Sequence, residues 1–109
     1  MTHLPEISVK ETKAKLAEDG HPLLLDCREP NEWDFCRIEG ALLVPLSNFK
    51  SAVEPVPLGP EGAIIYCHHG VRSLHATRYL LDQGYENIVS MAGGIDAWSL
   101  EVDEKVPRY

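Results

Sequence analysis

Residues 64–76 read IIYCHHGVRSLHA, so an apolar run ends at a cysteine shortly before a helical pattern begins. The run from Ala63 to Tyr66 is short and predicts a buried strand. From Ser73 to Gln83 the apolar residues recur at helical spacing, and Gly84 is suited to end that helix. A buried strand that leads into a helix is the repeating unit of a parallel α/β sheet. The stretch therefore predicts such a unit, with Cys67 at the carboxyl end of its strand.

The rest of the chain shows the same alternation of short apolar runs and helical patterns. Ser8 and Glu11 have the spacing of a capping box, which predicts a first helix over residues 9–18. Further strands are predicted at residues 23–26, 41–44 and 88–91, and further short helices at residues 30–35, 47–53 and 93–98. This alternation indicates an α/β fold with a mainly parallel sheet that is covered by helices on both faces.

Length and composition limit the class of protein. The 109 residues, of which 44% are hydrophobic and 25% charged, have the size of one globular domain, which we expect to cover residues 1–109. The segment 54–62 is rich in proline and glycine and predicts a surface loop within that domain. The formal net charge of -7 argues against a nucleic-acid partner, because proteins that bind the phosphate backbone carry a basic face.

The sequence also bears on cellular location. Its apolar runs are far shorter than the roughly 20 residues with which a helix spans a bilayer. The opening residues MTHLPEISVKE contain no apolar signal region, so we expect a cytoplasmic protein without a membrane partner. The three cysteines, Cys27, Cys36 and Cys67, form no CxxC pair and fit neither a secreted disulfide framework nor a zinc ribbon. At least one thiol should therefore be free.

The loop after Cys67 has the residue types of an anion-binding cradle. In open parallel α/β sheets, ligands bind beyond the carboxyl ends of the strands, where helix N-termini supply unpaired N–H groups and partial positive charge. Gly70 can adopt a positive φ, which lets successive N–H groups point into one concavity. Arg72 offers a fork of donors to an oxyanion, and Ser73 suits the N-cap of the helix. Such sites lower a cysteine pKa from about 8.5 to roughly 3.5 to 7.5.

Each of these residues has a structural alternative. Cysteine is among the residue types most often buried for packing alone, but the glycine, the arginine and the helix start favour a reactive Cys67. For His68 and His69, a functional role and a place on the loop surface both stay open. A metal site built from Cys67, His68 and His69 is disfavoured, because adjacent side chains diverge and structural zinc sites draw on spaced pairs of ligands. We therefore expect neither a metal nor another cofactor.

Four motifs, in order, resemble the rhodanese domain of the thiosulfate sulfurtransferase family, and the match covers nearly the whole chain. They are LLLDCREPNEWDF at residues 23–35, IEGALLVPL at 38–46, CHHGVRS at 67–73 and MAGGIDAW at 91–98. The first is similar to the family's Asp-x-Arg strand end with its acidic-aromatic helix, and the last to its glycine-rich turn. The resemblance implies a rhodanese-like three-layer α/β fold.

The resemblance also implies a chemistry. Cys67 would attack the sulfane sulfur of a donor such as thiosulfate and carry it as a persulfide, and cyanide or a thiol would then take it. This divides one difficult transfer into two easier ones. A sulfur-carrier protein is a further candidate partner. The residues implied to bind the substrate, through backbone N–H groups and through the Arg72 guanidinium, are His68, His69, Gly70, Val71, Arg72 and Ser73.

The Asp-x-Arg motif falls on Asp26 and Arg28, for which we expect a structural role as an ion pair or through backbone contacts, because buried charges require partners. Cys27 stands between them. We expect it to be a small apolar filler, and the alternative is a resolving thiol close to Cys67. One departure from the family lies at Arg37, because many members have a histidine at this position.

Two rival functions remain. The cell-cycle dual-specificity phosphatases share the rhodanese fold but place five residues between cysteine and arginine, whereas four separate Cys67 from Arg72 here. The tighter loop resembles the sulfurtransferase form, which fits around a sulfur rather than a tetrahedral phosphate. The other rival is a non-catalytic binding or regulatory module, and the retained cysteine with its cradle argues against it.

Overall fold

A five-stranded parallel sheet lies at the centre of the computed structural model, which describes residues 4–109. The strands are β1 (Glu6–Ile7), β2 (Leu23–Asp26), β3 (Leu42–Leu43), β4 (Ala63–Tyr66) and β5 (Ile88–Met91). The helices are α1 (Val9–Leu16), α2 (Pro30–Phe35), α3 (Phe49–Val53), α4 (Val71–Asp82) and α5 (Gly94–Glu101), and a 3-10 turn at Leu46–Asn48 precedes α3. The strand order is β1-β5-β4-β2-β3, and each pair is parallel.

Helices cover both faces of the sheet, which confirms the predicted α/β fold class. Successive strand residues point to opposite faces, so the sheet contributes to two separate apolar clusters. Phe49 of α3 and Leu80 of α4 pack in one cluster, whereas Val9 of α1 and Ile95 of α5 pack in the other. The core thus forms two layers on either side of the sheet, and the carboxyl ends of the strands open on one edge between them.

The central strands β2 and β4 end side by side. Their register pairs Asp26 with Tyr66, and the N–H of Cys27 donates to the Tyr66 carbonyl at 3.0 Å, which extends the ladder by one residue. Cys27 and Cys67 therefore follow neighbouring strand ends. This register brings the LLLDCRE and CHHGVRS motifs together.

Several predicted boundaries were wrong. The helix expected at residues 9–18 ends at Leu16, and the strand expected at 41–44 pairs only over Leu42–Leu43. The last helix continues to Glu101, and the strand β1 was not predicted because two residues give no periodic signal. The capping box of Ser8 and Glu11 is present as predicted.

The start of α4 also differs from its prediction. Ser73 was expected to cap the helix, but the N-cap is Gly70, whose φ of 106° lies in the left-handed region. Ser73 is therefore the third residue of the helix and is fully buried. Serine is the better cap by local preference. Here its hydroxyl is used in tertiary contacts, and glycine alone tolerates the turn that brings the chain from the strand into the helix.

Candidate active site

The Cys67 sulfur lies at the centre of the loop that joins β4 to α4. The backbone N–H of Gly70 donates to Sγ at 3.1 Å, and that of Ser73 at 3.4 Å. The Ser73 hydroxyl lies 3.5 Å from the same sulfur. Cys67 is 1% exposed, so these neutral groups replace water around it. The loop can therefore hold one anionic sulfur without a directly bonded cation.

The N-terminus of α5 explains why the loop N–H groups face the sulfur. The N–H of Ile95 donates to the Cys67 carbonyl at 2.9 Å, and that of Asp96 donates to the His68 carbonyl at 3.1 Å. These bonds turn the loop carbonyls towards α5. Gly94 makes the approach possible, because a Cβ on it would overlap both carbonyl oxygens. The glycine-rich MAGGIDAW motif is thus part of the support of the loop.

The two neighbouring thiols differ in charge. The pKa of Cys67 is lowered to about 4, first by the adjacent Cys27 thiol and then by the Ser73 hydroxyl and the N–H groups of Ser73 and Gly70, while burial opposes the shift. The pKa of Cys27 is raised, because Cys67 and burial both disfavour a second anion. At neutral pH, one negative charge therefore lies on Cys67 and the proton stays on Cys27.

A second serine supports the first. The hydroxyls of Ser73 and Ser90 are 2.6 Å apart, and both side chains are fully buried. Ser90 lies on β5, the strand beside β4. Sequence reasoning did not single it out, although it is the one hydroxyl residue in the otherwise apolar run IVSM. A polar residue inside a buried strand requires a partner, and this signal could have drawn attention to it.

Arg72 is oriented by a carboxylate on α2. Its two terminal nitrogens lie 2.7 and 2.9 Å from the two carboxylate oxygens of Glu32, a bidentate pair. Arg72 is the largest cause of a Glu32 pKa lowered to about 2. Sequence reasoning assigned Arg72 to the donor but did not identify Glu32 as its partner. The guanidinium therefore lies beside the loop, and its edge formed by the two terminal nitrogens is already bonded to Glu32.

The two histidines of the loop lie against one another with tilted rings, and His68 also stacks on Tyr109. The His68 ring centroid lies 3.9 Å from that of His69 and 3.9 Å from that of Tyr109. His69 is exposed, and its Nε2 lies 3.7 Å from the carboxylate of Asp96. Ligand atoms of His68, His69 and Asp96 lie within 4.8 Å of one another, a grouping that could hold a cation. Arg108 already pairs with that carboxylate at 2.8 Å.

Asp26 and Arg28 form a buried ion pair at the end of β2. The Nη2 atom of Arg28 lies 2.7 Å from the Asp26 carboxylate, and both side chains are 0% exposed. The same guanidinium donates to the Cys36 carbonyl at 2.6 Å and to the Tyr109 hydroxyl at 2.9 Å. The pair therefore joins β2 to the segment after α2 and to Tyr109.

The departure from the family at Arg37 has a local explanation. Its guanidinium lies over the Trp33 ring, 4.5 Å from the centroid. The preceding Cys36 is buried in the cluster on the α1 and α5 side of the sheet. All three cysteines are free thiols. Arg37 thus contacts α2 through Trp33.

Comparison with known proteins gives the same family. The model of the rhodanese-like domain matches residues 8–101. The thiosulfate sulfurtransferase GlpE of Pseudoalteromonas translucida is 32% identical over 102 residues, which are 94% of this chain and 95% of that protein. The structure of the human single-domain sulfurtransferase TSTD1 matches with a TM-score of 0.80 at 28% identity, and the match covers 91% of this chain and 98% of that one.

Other relatives are longer than this chain. A chloroplastic rhodanese-like/PpiC domain-containing protein of Arabidopsis thaliana is 32% identical over 110 residues, and the match covers 95% of this chain but 37% of that protein. Within residues 4–109, no helix combines the length and apolar character that crossing a membrane requires. The motif order, the sheet topology and the family match agree, and the chain belongs to the rhodanese-like domain family.

Proposed function

We propose that this protein is a sulfurtransferase that moves a sulfane sulfur from thiosulfate or a similar donor to a thiol or cyanide, with Cys67 as the persulfide carrier. The observation that carries the proposal is the position of the Cys67 sulfur, which accepts N–H bonds from Gly70 and Ser73 at the end of a buried strand. The names of the GlpE relative and of human TSTD1 support the same class of reaction.

The first step is attack on the donor. The Cys67 thiolate attacks the outer sulfur of thiosulfate, a new S–S bond forms, and the bond to the sulfite group breaks. Sulfite leaves with the electron pair, and the enzyme keeps a persulfide anion. Both reactants are anions, so the N–H groups of Gly70 and Ser73 and the positive end of α4 offset their repulsion.

The second step returns the enzyme to its starting state. The acceptor, cyanide or a thiolate on a small molecule or carrier protein, attacks the outer sulfur. The S–S bond breaks and Cys67 leaves as a thiolate. A thiolate with a pKa of about 4 is a good leaving group, because its charge is already stabilised by the adjacent Cys27 thiol, by the Ser73 hydroxyl and by loop N–H groups. The same donors thus serve both halves of the reaction.

The first experiment follows sulfur on the protein. Reduced protein is mixed with thiosulfate, and its intact mass is measured together with that of Cys67→Ser and Cys36→Ser variants. We expect the wild type and Cys36→Ser to gain one sulfur atom and Cys67→Ser to gain none. Equal gain in all three would remove Cys67 from the reaction. No gain in any, together with hydrolysis of a phosphotyrosine analogue, would replace the proposal with a phosphatase.

Arg72 is proposed to bind the sulfonate end of the donor through the edge that Glu32 leaves open. We expect Arg72→Ala to raise the KM for thiosulfate by roughly tenfold, the effect of losing one charge-assisted contact. The matched control is Arg78→Ala on the same helix, whose side chain is 59% exposed and pairs with Asp82. Steady-state kinetics with thiosulfate give the answer, and equal KM values for the two variants would refute this role.

A further inference from the structure

The residues that follow β2 and β4 are both cysteines. The two strands are parallel neighbours, and their register ends at the pair Asp26 and Tyr66. The next residues in register are Cys27 and Cys67, and the N–H of Cys27 still donates to the Tyr66 carbonyl at 3.0 Å. Neighbouring strands run about 4.8 Å apart. The two cysteines are therefore adjacent across the sheet.

Their side chains point to the same side of the sheet. Side chains alternate along a strand, and both cysteines pack in the cluster that contains Leu25 and Ile65, the residues two positions before each of them. Cys27 is 0% exposed and Cys67 is 1% exposed. Disulfides form between residues whose Cα atoms lie roughly 4.4 to 6.8 Å apart, and the strand spacing falls in this range.

Cys36 differs from this pair although it is also a buried free thiol. It follows α2 and packs in the cluster on the opposite side of the sheet, with Val9 and Trp98. Burial alone therefore does not bring a thiol to Cys67. Only the register of β2 with β4 does so, which makes Cys36 a control built into the chain.

We propose that Cys27 is a second sulfur-handling residue, which resolves the Cys67 persulfide into a Cys27–Cys67 disulfide and releases the sulfane sulfur as hydrogen sulfide. This inference rests on the proposed function, because the persulfide is its starting point. It assigns to the buried thiol a reaction of its own. The protein would pass sulfur to an acceptor when one is present, and would discharge it as sulfide when none is.

The step balances without an added oxidant. The Cys27 sulfur attacks Cys67 Sγ, an S–S bond forms between the two cysteines, and the bond from Sγ to the outer sulfur breaks. The outer sulfur keeps the electron pair of the broken bond and is reduced to the sulfide level, while the Cys27 sulfur is oxidised from the thiol to the disulfide level. The proton of the Cys27 thiol passes to the outer sulfur, which leaves as HS⁻ from a persulfide anion. A small-molecule dithiol then reduces the disulfide and restores both thiols.

The protonation states make this step slower than transfer to an external thiolate. Cys27 keeps its proton because Cys67 and burial raise its pKa, and a protonated thiol is a weak nucleophile. The persulfide therefore persists long enough to meet an acceptor. Complete burial of Cys27 also keeps external nucleophiles away from it, so its reaction is with Cys67 alone. Discharge is thus expected only when the acceptor is missing.

The experiment separates loading from discharge. Reduced protein is loaded with thiosulfate, freed of excess donor on a desalting column, and followed by intact mass and by a sulfide-trapping dye. We expect the wild type first to carry one extra sulfur atom, then to release one equivalent of sulfide and become lighter than the reduced protein by two hydrogens. Cys36→Ala should behave identically. Cys27→Ala and the bulkier Cys27→Val should keep the extra sulfur and release no sulfide.

Each outcome decides between the two proposals. If the wild type loads but keeps its sulfur, or if the Cys27 variants discharge as fast as the wild type, the role of Cys27 is overturned while the sulfurtransferase proposal stands. If nothing loads, the sulfurtransferase proposal fails, and with it the persulfide that Cys27 would resolve. In protein that does load, the oxidant diamide provides a separate test of whether the two thiols can join. Peptide mapping after diamide should find a Cys27–Cys67 disulfide and leave Cys36 free. Its absence would overturn the inference by itself.

Discussion

The ends of β2 and β4 lie side by side but hold charge in opposite ways. At the end of β2, Asp26 and Arg28 neutralise one another in a fully buried pair. At the end of β4, the hydrogen-bond partners of the Cys67 sulfur are two backbone N–H groups and one hydroxyl. A buried ion pair fixes the backbone because neither charge can leave, whereas an anion held by neutral donors can pass its charge to another atom. The first arrangement suits a scaffold and the second a reaction.

The largest effect should come from breaking the β2 pair. Arg28→Ala leaves the Asp26 carboxylate buried without its partner, and we expect a loss of about 3 to 5 kcal/mol in the free energy of unfolding. Urea denaturation measures it. The control is Arg78→Ala, which removes one member of an exposed pair and should cost within about 0.5 kcal/mol. Similar losses in both variants would remove the distinction between the two strand ends.

The support of the β4 loop can be tested at Gly94. A Cβ there would overlap the carbonyl oxygens of Cys67 and His68, so Gly94→Ala should cost about 1 to 3 kcal/mol more than the backbone penalty alone. Gly20→Ala measures that penalty, since Gly20 has a similar φ of 67° and no atom within 4 Å of the added Cβ. The comparison uses urea denaturation of both variants. Equal losses would mean that α5 does not hold the loop.

The stabilisation of the Cys67 thiolate by neutral hydrogen-bond donors can be tested through the pH dependence of its alkylation. With a pKa of about 4, its alkylation rate by iodoacetamide should be nearly flat between about pH 5 and pH 8. Ser73→Ala removes the hydroxyl near Sγ and should raise this pKa by about one unit, the value of one hydrogen bond to a charged group. Ser99→Ala, which removes a buried hydroxyl that donates to Val106, should leave the profile unchanged. A rate that climbs through pH 8 in the wild type would contradict the lowered pKa.

The smallest effect is expected at Glu32, which links the two strand ends through its hydrogen bonds to Arg72 and Tyr109. Glu32 accepts from Arg72 and from the Tyr109 hydroxyl, and the same hydroxyl accepts from Arg28. The pKa of Glu32 falls from 4.5 to about 2 on folding, so its contribution is complete above pH 4.5 and disappears as the pH falls towards 2. Because the Arg72–Glu32 pair is partly exposed to solvent, its contribution to the free energy of unfolding is limited to about 1 kcal/mol.

Glu32→Gln should therefore lower the stability at neutral pH by that small amount and flatten the stability profile of the wild type between pH 4.5 and 2. Denaturation at a series of pH values provides the measurement. Asp34→Asn, an exposed substitution on the same helix, is the control. Parallel profiles for the wild type and Glu32→Gln would show that the link carries no free energy.

Local sequence patterns were sufficient where an element is apolar, short and bounded by turn residues. Strands β2, β4 and β5 and helix α2 have the predicted bounds, because burial on both faces or proline at the first turn leaves a clear signal. The alternation of strands and helices was enough for the fold class. Two-residue strands left no such signal, so β1 was missed and β3 was overestimated.

The site was less accessible to sequence reasoning because its partners are distant in the chain. Glu32 lies 40 residues from Arg72, and the Tyr109 hydroxyl lies 81 residues from the Arg28 side chain that donates to it. Ser73 was assigned to the helix cap by local preference, whereas its hydroxyl contacts the Ser90 hydroxyl on strand β5, 17 residues away in the chain. Local rules describe each loop alone, and the strand register decides which loops meet.

Tyr109 also matters for the attachment of other polypeptides. Its ring stacks on His68, the residue directly after Cys67, and its hydroxyl bonds to Arg28 and Glu32. Any chain joined to residue 109 therefore starts beside the cysteine loop. For protein engineering, this makes residue 109 a tethering point, where an acceptor thiol on a short flexible linker would meet Cys67 at an effective concentration of roughly millimolar order. Sulfur delivery would then become an intramolecular event whose rate is set by linker length.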